Sequence, residues 1–175
     1  MTQENKTIVA RWYKEFWGNP WNPRIVNEMA TSDIFLHYPM HEPKKGRAAV
    51  TRFMTDFRNA FPDLCFRGVG NLIAEGNYVV GRWEGGGAHT GPAFSDFRLG
   101  SIPAASGRKM NFTGTSVLRL EDGRIAEELG QEDALNAMLQ VGLIRLPDLL
   151  TAQERPGGAL PRGWNNLAGF QKPGR

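Results

Sequence analysis

The chain has 175 residues, a single cysteine and a formal net charge of +3. This length allows one full hydrophobic core and is short for two domains. No apolar run approaches the roughly 18 to 20 residues of a membrane span, and the polar N-terminus is unlike a signal peptide. The lone Cys65 excludes an intramolecular disulfide, and its place in an apolar run favours packing over nucleophilic chemistry. We therefore expect a cytoplasmic protein without a membrane partner.

The basic residues are unevenly distributed along the chain. After Leu150, four basic residues face a single glutamate, so this tail accounts for the whole net charge of +3. Residues 1–150 are balanced between acidic and basic side chains, and no basic stripe marks them. Nucleic-acid binding by the folded part is therefore disfavoured.

The N-terminal third predicts helices around one short strand. Apolar residues recur at helical spacing over 8–16, and a short helix follows to about Met29. The segment IFLHY (34–38) is typical of a strand, and 40–46 of a loop. Residues 47–61 again place apolar side chains at helical intervals, up to a proline that stops the helix.

Strands dominate the next part of the chain. Residues 64–76 and 77–86 read as two strands joined by a tight turn, and 85–107 form a long connection rich in Gly, Pro and Ser. Such loops are more often functional or mobile than incidental. Helices followed by hairpin-connected strands predict an α+β fold, a strongly bent antiparallel sheet forming a cone-shaped half-barrel with the N-terminal helices packed on its concave face. The apolar interior of such a cone is a natural ligand site.

The segment 111–142 reads as strand, turn, strand and helix. Asp122-Gly123 predicts a tight hairpin turn, and the helix spans 134–141. In the second strand, alternation places one set of side chains on a common face, which we take as the inward one: Ile125, Glu127, Leu129, Gln131 and Asp133.

Asp133 is the first candidate for proton transfer, because a carboxylate at the end of an apolar face can act as a general base in a pocket. It also directly precedes the helix at 134–141, so it could simply cap that helix, and spacing alone favours the cap. Glu127 shares the face but lies nearer the hairpin, where it could belong to the site or to its rim.

The histidines allow several interpretations. His37 and His41 have the spacing of helical metal ligands, but Pro39 between them disfavours a helix and no third ligand is obvious, so we expect no metal. His37 alternates with Phe35 and could point into the cone, and His89 lies where a strand meets the long loop. Either could hydrogen-bond a substrate carbonyl or enolate, or be a satisfied structural histidine.

No cofactor motif is present in the sequence. The three glycines at 85–87 lack the spacing of a nucleotide fingerprint, and there is no nucleophile elbow. We therefore expect no cofactor. The side chains expected to line the pocket are His37, Phe35, Trp12, Phe16, Trp83, Phe112 and Leu129.

Five stretches, in this order, resemble the SnoaL-like polyketide cyclases of the nuclear-transport-factor-2-like superfamily. They are GRAAVTRFMTDFRNAFPDL (46–64), LIAEGNYVVGRW (72–83), AHTG (88–91), FTGTSVLRLEDGRIAEEL (112–129) and DALNAMLQVG (133–142). His37 also falls where such proteins often carry a histidine. The resemblance covers roughly residues 5–145.

The resemblance implies an α+β cone, a homodimer packed through its sheet, and cofactor-free acid–base chemistry by an aspartate on the last strand. That role carries to Asp133 and outweighs the preference for a cap, and AHTG carries to His89 as a pocket residue. The chain departs from the pattern at Leu129, where related chains tend to have an aromatic residue, in its longer loop at 92–107, and after Leu146.

The leading interpretation is a cofactor-free cyclase or isomerase acting on a hydrophobic, carbonyl-rich, polyketide-like ligand. Asp133 would abstract an α-proton, His89 would stabilise the enolate with His37 as a second candidate, and an intramolecular aldol-type step would close a ring. The alternatives are hydrolysis of an epoxide, ester or lactone, and a non-catalytic module that binds a small molecule. We divide the chain into a cone domain, 1–146, and a basic extension, 147–175, which docks on a partner, covers the pocket or is poorly ordered.

Overall fold

The computed structural model describes residues 2–145, so the predicted extension lies outside the described part. The helices are α1 (Thr2–Trp12), α2 (Ile25–Met29), α3 (Arg47–Ala60) and α4 (Ala134–Gln140), and a π-helical turn, Tyr13–Trp17, prolongs α1. The strands are β1 (Ala30–His37), β2 (Lys44–Lys45), β3 (Cys65–Glu75), β4 (Tyr78–Ala88), β5 (Lys109–Glu121) and β6 (Arg124–Glu132). Within residues 2–145, no helix has both the length and the apolar character needed to cross a membrane.

The six strands form one sheet in the order β2-β1-β6-β5-β4-β3, which confirms the α+β prediction. The prediction was an antiparallel sheet. The observed sheet is mixed, because β1 runs parallel to β6. The other four pairings are antiparallel. Hairpin turns join β3 to β4 and β5 to β6, but β1 reaches β6 without one, so nothing forces this pair to be antiparallel.

The helices cover the inner face of the sheet. From α1 and its extension, Trp12 and Phe16 are fully buried, with their rings stacked at 4.3 Å. From α3, Phe53 and Phe57 enter the same core. The amphipathic spacing predicted for these helices therefore serves to bury one face against the sheet.

Strand β4 extends further than the sequence predicts. Gly85, Gly86 and Gly87 pair with β5 within the sheet and do not begin the long loop. A Cβ at Gly86 would lie 1.8 Å from the carbonyl oxygen of Met110, so this close backbone approach requires glycine. The connection between β4 and β5 is consequently limited to 89–108.

The β5–β6 hairpin forms as predicted, with positive φ angles at Asp122 and Gly123 of 47° and 71°. Beyond the turn, the register shifts, because Leu120 pairs with Ile125 whereas Arg119 pairs with Glu127. Ala126 is the extra residue of this β-bulge.

The bulge reverses the two faces of β6. Ile125 and Ala126 are both buried, and the inward residues after them are Glu128, Gly130 and Glu132. The alternation predicted from the sequence is therefore wrong from Glu127 onward, since it placed Glu127, Leu129 and Gln131 inside.

Candidate active site

A narrow aromatic pocket lies on the inner face of the sheet, with a volume of about 20 Å³. Seven aromatic rings line it: Tyr13, Trp17, Tyr38, Phe57, Phe66, Trp83 and Phe112. The remaining lining residues are Met40, His41, Arg67 and Glu132. Arg67 is exposed and pairs with Glu84. Among the described lining residues, Glu132 and His41 are therefore the enclosed side chains that could exchange a proton with a ligand.

Glu132, the last residue of β6, presents a carboxyl group to this pocket. Its Oε1 accepts a hydrogen bond of 2.7 Å from the backbone N–H of Met40. Its Oε2 is buried and has no hydrogen-bond partner among the described residues. Burial raises the pKa of Glu132 to about 7, although the Met40 hydrogen bond opposes the rise. A carboxyl group with this pKa can gain or lose a proton near neutrality, which suits general acid–base chemistry.

A second inward carboxyl, Glu128, lies fully buried behind the pocket wall. Its Oε2 accepts from Trp12 Nε1 at 2.7 Å, and its Oε1 accepts from Trp17 Nε1 at 2.9 Å and from Tyr38 Oη at 2.6 Å. Burial raises the pKa of Glu128, and these three hydrogen bonds oppose the rise. Both oxygens therefore accept hydrogen bonds, one from Trp12 in the core and the other from Trp17 and Tyr38 of the pocket lining, so Glu128 holds these rings in place.

A chain of hydrogen bonds links Glu128 to the lining residues Tyr38 and Trp83 through Ser116, and each donor in it points toward Glu128. An indole N–H can only donate, so Trp83 Nε1 donates to Ser116 Oγ at 2.8 Å. Tyr38 donates to Glu128, which leaves Ser116 to donate to Tyr38 Oη at 2.7 Å. The polar atoms of Trp17, Tyr38 and Trp83 are thus satisfied within the wall.

Two glycines make room for the rings of this wall. A Cβ at Gly130 would lie 1.9 Å from Cε1 of Tyr38, and one at Gly114 would lie 2.2 Å from Cζ2 of Trp83. Each ring therefore packs directly against a strand backbone, and any residue larger than glycine at that position would displace the ring.

His41 lines the pocket beside an acidic partner. Its ring is packed by four phenylalanine rings, with centroids at 4.9 to 6.1 Å, from Phe53, Phe57, Phe94 and Phe97. Its Nδ1 lies 3.1 Å from Asp96 Oδ2, and Lys44 Nζ donates to Asp96 Oδ1 at 2.6 Å. Burial lowers the pKa of His41, partly opposed by Asp96. Burial would raise the pKa of Asp96, but the hydrogen bonds from His41 and Lys44 lower it overall.

His89 is fully buried away from this pocket. Its Nε2 donates to the carbonyl oxygen of Pro92 at 2.8 Å, and its Nδ1 lies 2.9 Å from Ser106 Oγ. Its ring packs on Phe61 at 5.0 Å. Both nitrogens are occupied by the ends of the loop 89–108, so the geometry matches the alternative of a satisfied structural histidine.

Asp133 is exposed and lies outside the pocket lining. Its side chain accepts a hydrogen bond from the backbone N–H of Asn136 at 3.2 Å, which makes it the N-cap of α4. The cap, which spacing alone favoured, is the geometry observed. The role suggested by the resemblance has no support from this placement.

The other predicted lining residues divide into three groups. Trp83 and Phe112 line the pocket, whereas Trp12 and Phe16 lie beneath it in the core. The remaining three lie on the outer face of the sheet, a correction to the prediction: Phe35, His37 and Leu129. Phe35 pairs with Glu127 and His37 with Leu129, both beyond the bulge of β6, so all three share the outward face.

Sequence reasoning missed Glu128, Glu132 and the pairing of His41 with Asp96. The four-residue spacing of the two glutamates does put them on one face, but the bulge at Ala126 reverses which face is inside. Asp96 lies 55 residues from His41, so no local pattern connects them. Within residues 2–145, no three His, Cys, Asp or Glu side chains converge as a metal site.

The curled six-stranded sheet with helices on its inner face is the ketosteroid isomerase-like, or nuclear-transport-factor-2-like, fold. The chain belongs to the SnoaL-like polyketide cyclase family, whose model matches residues 7–141. This membership supports a fold of the cyclase or isomerase type.

Solved structures with the same fold share little sequence with the chain. A Jannaschia sp. CCS1 protein assigned to the SnoaL-like polyketide cyclases is 22% identical, with a TM-score of 0.65 over 82% of this chain and 95% of that one. A phenazine biosynthesis-related protein from Pseudomonas aeruginosa is 13% identical, with a TM-score of 0.65 over 90% and 94%.

A Catenulispora acidiphila protein with a ketosteroid isomerase-like fold, in complex with trimethylamine, is 14% identical, with a TM-score of 0.60 over 80% of this chain and 97% of that one. At these identities the likeness establishes the fold alone. No curated protein sequence matches the chain.

Proposed function

We propose that the protein is a cofactor-free acid–base enzyme, a cyclase or isomerase of small apolar carbonyl compounds, and that Glu132 is its proton-transfer group. One observation carries the proposal: the carboxyl group of Glu132 stands in an aromatic pocket with one buried oxygen unpartnered among the described residues. This burial raises the pKa of Glu132 to about 7. A general acid–base group works best when its pKa lies near the working pH.

The lining of the pocket supports a flat, unsaturated ligand. Aromatic walls bind planar apolar surfaces through stacked and edge-to-face contacts. The volume of about 20 Å³ is small, and a cavity of this kind holds about one water molecule. The ligand therefore enters with its reacting end only, or displaces side chains. A polyketide-like compound with carbonyl groups next to an unsaturated ring has this shape.

The test compares two neighbouring carboxyl groups, that of Glu132 at the end of β6 and that of Asp133 at the start of α4. Wild type, Glu132→Gln and Asp133→Asn are incubated with indanone in heavy water, and exchange of the proton next to the carbonyl is followed by NMR. Loss of a general acid–base group costs roughly 10²- to 10⁴-fold in rate, so we expect a loss of this size for Glu132→Gln. Asparagine caps a helix about as well as aspartate, so Asp133→Asn should keep both its fold and its activity.

The opposite pattern would restore the interpretation from the sequence. If Asp133→Asn were inactive and Glu132→Gln active, Asp133 would be the proton-transfer group and the pocket proposed for catalysis would be the wrong one.

We also propose a homodimer formed through the outer face of the sheet. Ile73 pairs with Val80, Val80 with Val117, and Val117 with Leu129. These four residues, called the outer apolar row, cross four adjacent strands, and Ile73 is 69% exposed. A continuous exposed apolar band is typical of a protein–protein interface, which supports the dimer.

A further inference from the structure

We infer that His41 is a second catalytic residue of the proposed enzyme. His41 Nε2 accepts the substrate proton, Asp96 holds the imidazole in position, and Glu132 donates a proton to the substrate carbonyl oxygen. This inference rests on the proposed function, since it assigns a direction to the proton transfer in the same pocket.

The hydrogen bonds around His41 define which nitrogen carries the proton. Lys44 donates to Oδ1 of Asp96, so this carboxylate faces two hydrogen-bond donors and acts as an acceptor. The proton of the neutral imidazole therefore lies on Nδ1 and points to Asp96 Oδ2 at 3.1 Å. His41 Nε2 is left with its lone pair and has no hydrogen-bond partner among residues 2–145.

The surrounding contacts fix the ring in this orientation. Asp96 lies on the loop 89–108, and the neighbouring Phe97 forms an isolated β-bridge with His41 and stacks on its ring at 5.2 Å. The backbone N–H of Arg98 donates to the carbonyl oxygen of Met40 at 2.9 Å. The base, its orienting carboxylate and Glu132 are therefore tied together through Met40, whose N–H binds Glu132. Catalysis depends on such preorganised positions.

Every proton that is transferred during one ring-closing reaction returns to its starting group or stays in the product. The α-proton of the substrate moves to His41 Nε2, and the proton of Glu132 moves to the carbonyl oxygen, which gives an enol. The enol carbon attacks a second carbonyl carbon, one carbon–carbon bond forms, and the enol proton returns to Glu132. The new alkoxide takes the proton from the His41 imidazolium. The product is an isomer of the substrate, and both residues return to their starting states.

This division of roles predicts the sign of the pH dependence. Activity needs neutral His41 and protonated Glu132, so the rate falls at low pH as His41 gains a proton. It falls again as pH rises through about 7, where Glu132 loses its proton. With Glu132 as the base, the rate would instead rise through about 7.

The other ionisable groups near His41 and Glu132 are either paired with one another or buried. Asp96 and Lys44 pair with each other, and Arg67 pairs with Glu84. The remaining groups are buried in the wall: Tyr13, Tyr38 and Glu128. Burial raises the pKa of both tyrosines, so they stay neutral, and both oxygens of Glu128 accept hydrogen bonds from Trp12, Trp17 and Tyr38.

The first measurement needs no substrate. Heteronuclear NMR of the imidazole nitrogens in the full chain, assigned with His41→Gln, should show Nε2 of His41 unprotonated at neutral pH. In Asp96→Asn the new amide can donate to Nδ1, so the signal should change to the Nε2–H form. If Nε2 of His41 carried a proton in the wild-type protein at neutral pH, the inference would be overturned.

The second measurement is the exchange of indanone in heavy water. We expect His41→Gln to lose roughly 10²- to 10⁴-fold in rate, as Glu132→Gln does. Asp96→Asn should lower kcat with little change in KM, while the exposed control Asp133→Asn keeps the wild-type rate. If Glu132→Gln loses activity but His41→Gln and Asp96→Asn do not, the inference fails and the proposed function stands. If Glu132→Gln and His41→Gln both keep the wild-type rate, the proposed function itself fails.

Discussion

At the scale of single residues, the buried carboxyl of Glu132 couples proton binding to the stability of the fold. Its pKa rises from 4.5 to about 7 on burial. The folded chain therefore binds a proton more tightly than the unfolded chain between these values. Stability that is fully present below a pH of about 4.5 is lost as pH rises through about 7.

This linkage predicts that Glu132 lowers the free energy of unfolding of wild type between about pH 5 and about pH 8. The raised pKa of Glu128 acts in the same direction and the lowered pKa of His41 in the opposite one, so the contribution of Glu132 is the difference between wild type and Glu132→Gln. One unit of pKa corresponds to about 1.4 kcal/mol, so the decrease is at most about 3 kcal/mol, and solvent reaching the pocket reduces it. Urea unfolding at both pH values measures it. Between these pH values Glu132→Gln should lose less stability than wild type, by this amount, whereas Asp133→Asn should behave like wild type. The same pH dependence in Glu132→Gln as in wild type would assign the linkage to another group.

At the scale of elements, the loop 89–108 is the part that brings Asp96 to His41. His89 bonds to Pro92 near the start of the loop and to Ser106 near its end. A bridge between Phe94 and Ile102 closes the middle. The composition of this segment predicted a functional or mobile connection, and its described contacts are those of a packed one.

We expect His89→Ala to loosen this loop. The substitution removes two buried hydrogen bonds and the contact with Phe61, which should lower the stability by about 2 to 4 kcal/mol. Thermal unfolding measures the loss, and limited trypsin digestion should cut faster at Arg98, an exposed residue of the loop. Thr90→Ala, at the exposed neighbouring position, is the control. Equal cleavage of both variants would mean that His89 does not hold the loop.

At the scale of the whole molecule, the outer apolar row is the feature that bears on assembly. Leu129→Lys places a charge within this row, where pairing with a second copy would bury it without a partner. We expect sedimentation equilibrium to show a dimer for wild type and a monomer for this variant. Leu99→Lys, an equally drastic change at an exposed loop position, should stay dimeric. A monomeric wild type would refute the proposed interface.

The fold was predictable from the sequence because its signals are local. Apolar spacing defined α1 and α3, and Asp122-Gly123 defined the hairpin. The site depends on events that leave no local signal: the bulge at Ala126, and a contact between His41 and Asp96 across 55 residues. Trp83 and Phe112, which were predicted as lining residues, do line the pocket, and they lie on β4 and β5, whose pairing has no register shift.

The directed hydrogen bonds from Trp83 through Ser116 and Tyr38 to Glu128 divide the pocket lining into a side held by buried hydrogen bonds and a side without them. Exchanging Trp17, Tyr38 or Trp83 for a ring without a polar atom would strand a buried acceptor or donor, so ligand preference cannot change there without loss of stability. Phenylalanine rings make no hydrogen bonds, so exchanging them leaves no buried donor or acceptor without a partner. In the lining these rings are Phe57, Phe66 and Phe112. Changes in the preference of the proposed ligand site are therefore expected at these phenylalanines, while the tryptophan and tyrosine side chains stay fixed.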